Sequence, residues 1–402
     1  MPDSALRRAV LTALVAVCLL SRPAVDLAAS HATARAETDE APLVFAYYYI
    51  WYSEASWARA KTDLPLLGEY ASGDRAVIRQ HVRWARDAGI DGLIVSWKHV
   101  GRLDAPLSIL VDEARAEGLK LILLYEGLDF ERNPIAVSQV ANDFEWFAAT
   151  YASDPVFDVF GHPAVVWSGT WKFTDDDIAS VRGAIGPDRL LVLGSEKDAE
   201  SYAARSNLLD GDAYYWSSAN PRVTPGYRDR LSSLADAVHA DDAIWIAPAA
   251  PGFDARLVGG SSVVDRDDGA TYRASWEGAA GTAPDAIGII SWNEFSENSH
   301  IEPSREHGSR YLELTAELIE ELPGHAAVET PTFTQPPPDW SATAAAHSFT
   351  EPEPSVVGGT DSSADEGQAA PQFDVYLSGL AGVALLAGLV VVSRRWKRGE
   401  RT

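Results

Sequence analysis

The sequence predicts a (β/α)8 barrel, and three observations predict it. Between Pro42 and Leu322, short β-branched or aromatic runs alternate with longer segments of helical periodicity, the pattern of repeated βα units. Eight such runs fall within about 280 residues, the number and length that a closed barrel needs. No Gly-x-Gly-x-x-Gly phosphate loop follows any of them. That argues against a doubly wound open sheet, which would also need fewer strands.

In chain order, the first strand is expected at 43–49, an apolar run ending in three tyrosines. A helix over 75–88 follows, with Asp74 as its N-cap and Gly89 just past its end. Strands at 92–96 and 120–125 flank a helix over 105–117, and a helix over 137–151 separates the third strand from the fourth, at 164–167. The remaining strands are expected at 190–193, 213–216, 243–247 and 287–292, and a last helix over 305–321. Residues 42–322 form one domain in this reading.

Composition narrows the chemistry. The 402 residues are 46% hydrophobic, enough for a large core, but 33 basic against 58 acidic residues give a net charge of −25. So acidic a body repels phosphate backbones, so no nucleic-acid partner is expected. It suits a high-salt environment, and equally an ordinary acidic secreted protein. The single cysteine, Cys18, precedes the domain, which excludes disulfides, zinc-thiolate sites and cysteine nucleophiles from it.

Both ends read as targeting segments. Arg7 and Arg8, an apolar run to Leu20 and the small residues that follow make residues 1–36 a secretory signal peptide. The paired arginines suggest twin-arginine export, and Cys18 in mid-run argues against a lipoprotein anchor. Residues 375–392 are eighteen uncharged residues followed by Arg394, Arg395, Lys397 and Arg398, which predicts one transmembrane helix and a basic cytoplasmic tail over 393–402. A buried core helix is the competing reading of that span. Residues 323–373 are rich in proline and acid without hydrophobic periodicity, and read as a disordered stalk. The expected product is a single-pass cell-surface protein. Residues 1–36 carry +2 and residues 394–402 carry +4, leaving −31 between them.

Barrel enzymes place their chemistry at the C-terminal ends of the strands. In order, these ends read Tyr49-Ile50-Trp51-Tyr52, Ser96-Trp97-Lys98-His99, Tyr125-Glu126, Ser195-Glu196, Tyr214-Tyr215-Trp216 and Ser291-Trp292-Asn293-Glu294-Phe295-Ser296-Glu297. Aromatic faces pack on the C–H faces of sugars, while carboxylates and amides bind hydroxyls. The expected partner is therefore an oligo- or polysaccharide, bound by Tyr49, Trp51, Trp97, His99, Glu126, Tyr215, Trp216, Trp292 and Asn293. Singly, each aromatic is more often core than platform.

Glu294 and Glu297 are three apart, so on a turn both project to one side. Neighbouring carboxyls cannot both ionise freely, which yields one acid and one base, the pair that glycosidic cleavage requires. Two other readings compete: a divalent-cation site, for which further oxygen ligands are not evident nearby, and a solvated helix start.

The segment Ile290-Ser291-Trp292-Asn293-Glu294-Phe295-Ser296-Glu297-Asn298-Ser299-His300-Ile301-Glu302-Pro303 resembles the Asn-Glu-Trp-x-Glu-Gly-Thr-x-Ile-Glu signature of glycoside hydrolase family 99, the endo-α-mannosidases and endo-α-mannanases, within a broader family 71/99-like grouping. Tyr48-Tyr49-Ile50-Trp51-Tyr52, Gly68-Glu69-Tyr70-Ala71-Ser72 and the run from Ala88 to Trp97 are similar to the same family's first two βα units. The likeness is in order and covers most of residues 43–315. It implies cleavage of α-linked glycans, α-mannosides foremost, with retention through a 1,2-anhydro-sugar. The residue matching Glu294 would take the proton of the 2-hydroxyl. The one matching Glu297 would protonate the leaving group and then activate water, and Glu126 would bind substrate. No metal or cofactor is implied. Phe295 replaces the signature Trp and Asn298-Ser299 its Gly-Thr, which is expected to crowd or reshape a subsite. A non-catalytic glycan-binding barrel and an α-glucan-active enzyme of the same grouping are the alternatives. A glycan-synthesis transferase barrel is disfavoured by the leader and the lack of a nucleotide-sugar motif.

Overall fold

The computed structural model describes residues 41–129, 131–186 and 188–325. The signal peptide, the transmembrane segment, the basic tail and all of the stalk past residue 325 lie outside them. Among the described residues no helix is long and apolar enough to cross a membrane.

Eight parallel strands close a barrel: β1 (Leu43–Tyr49), β2 (Gly92–Trp97), β3 (Lys120–Glu126), β4 (Ala164–Ser168), β5 (Leu191–Gly194), β6 (Gly211–Ala213), β7 (Ile244–Ala249) and β10 (Ala286–Ile289), with β10 paired back onto β1. A two-stranded antiparallel ribbon, β8 (Phe253–Asp254) with β9 (Val263–Val264), lies in the connection after β7. The helices in chain order are α1 (Glu54–Trp57), α2 (Arg75–Asp87), α3 (Gly101–Glu117), α4 (Val137–Tyr151), α5 (Asp175–Ile185), α6 (Ala199–Ala203), α7 (Tyr227–His239), α8 (Ala270–Ala280) and α9 (Arg310–Glu320).

Period-two alternation on β1 sorts its aromatics. The Tyr48 hydroxyl lies 2.9 Å from His81 Nδ1 on α2, so even-numbered residues face the helices. Phe45, Tyr47 and Tyr49 therefore fill the barrel interior. The bulk is accommodated by glycine: a Cβ on Gly288 would stand 2.9 Å from the Tyr47 ring, and one on Gly92 would stand 2.5 Å from Phe45. On the outside, Arg75 and Arg79 of α2 bind Glu113 of α3 at 2.7 and 2.8 Å. Glu113 is buried, but both arginine heads are nearly half-exposed to screening water, so each pair contributes about 0–1 kcal/mol. The apolar core, which runs unbroken from the barrel to the helices, is what holds the fold.

Most expected elements fall within a few residues of their places, and three differ in an instructive way. β6 ends at Ala213, so the run Tyr214-Tyr215-Trp216 leaves the sheet instead of forming it. Its rings are used at the rim, where Trp216 stacks on Tyr227 with centroids 4.6 Å apart. The helix expected from 105 starts at Gly101, with Pro106 inside it. The last helix starts at Arg310 rather than 305, because Ser304 and Gly308 exchange backbone hydrogen bonds of 3.0 and 2.9 Å in a tight turn first. Asp74 does cap α2, accepting from Ala76 N at 2.8 Å, and Gly89 follows with φ of 80°.

Candidate active site

The site grows from the turn that follows β10. Trp292 N still donates to Tyr47 O at 2.8 Å, so the chain leaves the sheet just there. Asn293 then continues the sheet with its side chain: Oδ1 accepts from Tyr49 N at 2.8 Å and Nδ2 donates to Tyr49 O at 2.9 Å. The Tyr52 hydroxyl donates to the Asn293 carbonyl at 2.6 Å. Glu294 N donates to Ser291 Oγ at 2.8 Å, and its Oε1 accepts from Ser296 N at 3.0 Å. The Glu297 carbonyl accepts from Asp254 N at 2.7 Å, which ties the turn to the β8 ribbon.

Glu294 and Glu297 are 1% and 0% exposed. Both carboxyl groups bear on the same two phenols. Burial first, and then these carboxylates among others, push the Tyr49 and Tyr215 hydroxyls well above their ordinary range. Those hydroxyls are themselves 2.7 Å apart across the barrel mouth. Trp51 tilts over Tyr49 with centroids 4.4 Å apart and is half-buried, as are Tyr215 and Trp216. Glu126 accepts from Ser96 Oγ at 2.9 Å. Burial raises its pKa against the pull of Lys98 and Arg132.

Other sequence-predicted residues are placed elsewhere. Trp97 lies behind the barrel wall, with Nε1 donating to Asp104 at 2.9 Å and its ring stacked on Trp146 of α4. Ser96 faces inward, so its neighbour must face out. Trp292 is fully buried against His81, with centroids 5.5 Å apart. His99 stacks on Trp146 at 4.1 Å beside Asp104, at the edge of the same outer cluster. Asn293 is wholly buried and spends its amide on the Tyr49 backbone and the Tyr70 hydroxyl.

The departures from the signature also find physical places. Phe295 is buried between Trp57 and His300, edge-on to the first at 5.7 Å and stacked on the second at 4.1 Å. Asn298 has φ of 49°, the left-handed region that glycine favours and asparagine tolerates better than most residues. Its carbonyl accepts from Arg266 Nη2 at 3.1 Å, and its side-chain oxygen lies 3.4 Å from the same nitrogen. The added side chain is thus directed toward Arg266.

Beneath this turn, Asp63, His300 and His307 bring one ligand atom each within 4.8 Å of one another. Arg266 packs against them, with Nη2 3.5 Å from His300 Nδ1, so a cation already occupies the flank where a metal ion would add charge. The cluster acts as a hydrogen-bonded brace, with His300 Nε2 3.3 Å from Asp63 Oδ2. Burial pushes His300 down to about 3. A second brace joins His81 to Glu302 at 3.0 Å and Tyr70 to Glu302 at 2.8 Å.

Several rim residues escaped the sequence reading. Lys61, whose ammonium donates to Ser56 O at 3.0 Å, feels the charge of Glu294. Arg132 feels Glu126 and Glu297. Trp171 and Lys197 follow β4 and β5. The signal for Trp171 was present, an aromatic three residues past a strand end. The cations gave none, because arginine and lysine in loops are common.

A family model described as glycosyl hydrolase family 99 matches residues 58–317. A curated relative, the glycoprotein endo-alpha-1,2-mannosidase of Rattus norvegicus, is 24% identical over 274 residues, covering 62% of this chain and 59% of that protein. This chain therefore spans about three fifths of the relative's length. Among solved structures, the GH99 endo-alpha-mannosidase from Bacteroides thetaiotaomicron in complex with BIS-TRIS-propane superposes with a TM-score of 0.60 at 22% identity, covering 69% of this chain and 96% of that one. A glycoside hydrolase-like protein gives 0.58 at 15% identity, covering 69% and 94%. At such identities the likeness is one of fold.

Proposed function

Because this chain belongs to glycosyl hydrolase family 99, we propose that it cleaves α-mannoside linkages within a glycan, with retention, using Glu294 and Glu297. One observation carries the assignment of the pair. Two buried carboxyl groups stand three residues apart on one hydrogen-bonded turn at the C-terminal end of a barrel strand, and so share one site. The name of the rat relative and that of the bacterial structure both specify α-mannosidase action of the endo type, which supports the choice of substrate.

In this mechanism Glu294 takes the proton of the sugar's 2-hydroxyl. That oxygen attacks C1 as the glycosidic bond breaks, and Glu297 gives its proton to the departing oxygen. A 1,2-anhydro-sugar results. Glu297 then takes a proton from water, the water oxygen adds to C1, and Glu294 returns its proton to O2 as the epoxide opens. Two inversions at C1 give net retention. Tyr49, Tyr215, Trp51 and Glu126 bind the sugar ring at the mouth. Every proton taken is returned, so no cofactor enters the balance.

Product analysis on a panel of neutral α-mannans and α-glucans tests the reading, with the anomer formed first read by NMR. Internal cleavage of an α-mannan with an α-configured first product is expected. Cleavage of α-glucans alone would move the substrate, and binding without cleavage by a correctly folded protein would make this a glycan-binding barrel. Residues 1–36 and 375–392 lead us to place the barrel outside the cell on a membrane-anchored stalk.

A further inference from the structure

The chain has six lysines in 402 residues, yet four of the five at positions 41–325 (Lys61, Lys98, Lys172 and Lys197) follow the C-terminal ends of barrel strands. Three cations from three successive loops meet on one indole there. Lys197 Nζ lies 3.4 Å from the Trp171 ring centre, Lys172 Nζ lies 5.2 Å away and the Arg132 guanidinium 5.8 Å away. Arg230 adds a fourth, donating to the Lys197 carbonyl at 2.7 Å with its guanidinium 5.2 Å over Trp216.

None of Arg132, Lys172, Lys197 and Arg230 makes a salt bridge to a carboxylate among the described residues, whereas the arginines of α2 do. A cation–π contact explains one ammonium on an indole, but not three like charges around it, since each repels the others. The repulsion registers on Lys197, where burial first and then Arg132 and Lys172 lower the pKa. Arg132 is also held at φ of 64°, a conformation uncommon for a residue with a side chain. Carboxylates act on these cations only without closing a salt bridge, Glu126 and Glu297 on Arg132 and Glu196 on Lys197. Glu126 and Glu297, which Arg132 does feel, lie toward the cleavage site, so the cluster borders it.

We propose that Arg132, Lys172 and Lys197, assembled on Trp171, form a subsite for an anionic substituent of the glycan, a sulfate ester, phosphate ester or uronate carboxylate. The proposal rests on the glycan-cleaving reading of the neighbouring carboxylates, and it names the class of glycan. The three cations come from the loops after β3, β4 and β5, whereas Glu294 and Glu297 follow β10, so the charged group sits on a sugar that extends away from the scissile bond. Arg132 offers a planar fork to an oxyanion, and the two ammonium groups offer point charges.

The test is calorimetric binding of α-mannan oligosaccharides in neutral, sulfated and phosphorylated form, and of an α-linked uronate oligosaccharide, to the Glu294→Gln protein. The three anionic arms identify the substituent. At low salt at least one anionic ligand is expected to bind about tenfold or more tightly than its neutral counterpart, as two charge-assisted hydrogen bonds would give. The advantage should shrink in molar salt, and should vanish in the background carrying Arg132→Ala, Lys172→Ala and Lys197→Ala, whose folding is checked by its melting temperature. Lys120→Ala, at the start of β3, should leave it intact. Equal binding of neutral and anionic ligands, or a preference that survives loss of all three cations, would overturn the proposal. So would displacement of the anionic glycan by inorganic sulfate or phosphate at equal concentration, which would make this a free-anion site. Cleavage of neutral α-mannan by the wild type is measured separately, so failure of the enzymatic reading and failure of this one are distinct results.

Discussion

The side-chain amide of Asn293 pairs with the backbone of Tyr49 as a neighbouring strand would, donating at 2.9 Å and accepting at 2.8 Å. One side chain thereby satisfies both polar groups of the last residue of β1 and fixes the residue before Glu294. Removing it strands two buried backbone groups, at a cost of about 1–3 kcal/mol each. Asn293→Leu should lower the melting temperature by several degrees and also lower kcat, because the turn is no longer registered on β1. Full activity with an unchanged melting temperature would show that the pairing is incidental.

Glu294→Gln and Glu297→Gln should each lose about 10²–10⁴-fold in turnover while keeping fold and binding. Groups that act together are not additive, so the double variant should fall well short of the product of the two losses. An α-glycosyl fluoride leaves without a proton. With it, Glu297→Gln should still form the intermediate and Glu294→Gln should not. A substrate lacking its 2-hydroxyl should fail with the wild type. Wild-type rates in both single variants would move the site elsewhere.

Acid should weaken the brace beneath the turn. Burial pushes His300 down to about 3 from an ordinary 6.5, so in this range the unfolded chain binds a proton that the folded one refuses. Its contribution is complete above pH 6.5 and declines as pH falls toward 3, by about 1.4 kcal/mol per pH unit. Glu126, Glu196 and Asp212, all raised by burial, act in the opposite sense, so the comparison must be with a variant. Between pH 6.5 and 4, His300→Gln should lose less stability than the parent. Parallel melting curves against pH would remove His300 from the account.

Dilution of salt should destabilise the barrel, because the like charges behind a net −31 over residues 37–393 repel one another more when screening falls. Melting temperatures from dilute buffer to molar salt measure this directly, and a flat profile would contradict it.

Protease added to intact cells should release a soluble body by cutting between residues 323 and 373, where proline and acid replace hydrophobic periodicity. Protection until lysis would contradict an exterior location.

The alternation of βα units, the eight strands and the rim on which to look for chemistry could all be read from the sequence, because periodicity and strand ends are local properties of the chain. It also placed Glu294 and Glu297 together, since three residues on one turn cannot be far apart. It could not decide the direction in which a strand-end aromatic points. Trp97 and Tyr49 look alike in sequence, but closure turns Ser96 inward and Trp97 out to Trp146, and turns Tyr49 inward to meet Tyr215. The same holds for Tyr214-Tyr215-Trp216, whose strand propensity yields to ring contacts at the rim with Tyr49 and Tyr227, residues distant in the chain. The cations on Trp171 were invisible for a related reason. They come from loops about 40, 1 and 26 residues apart from that ring, and charges in loops gain meaning only when a closed barrel sets the loops side by side.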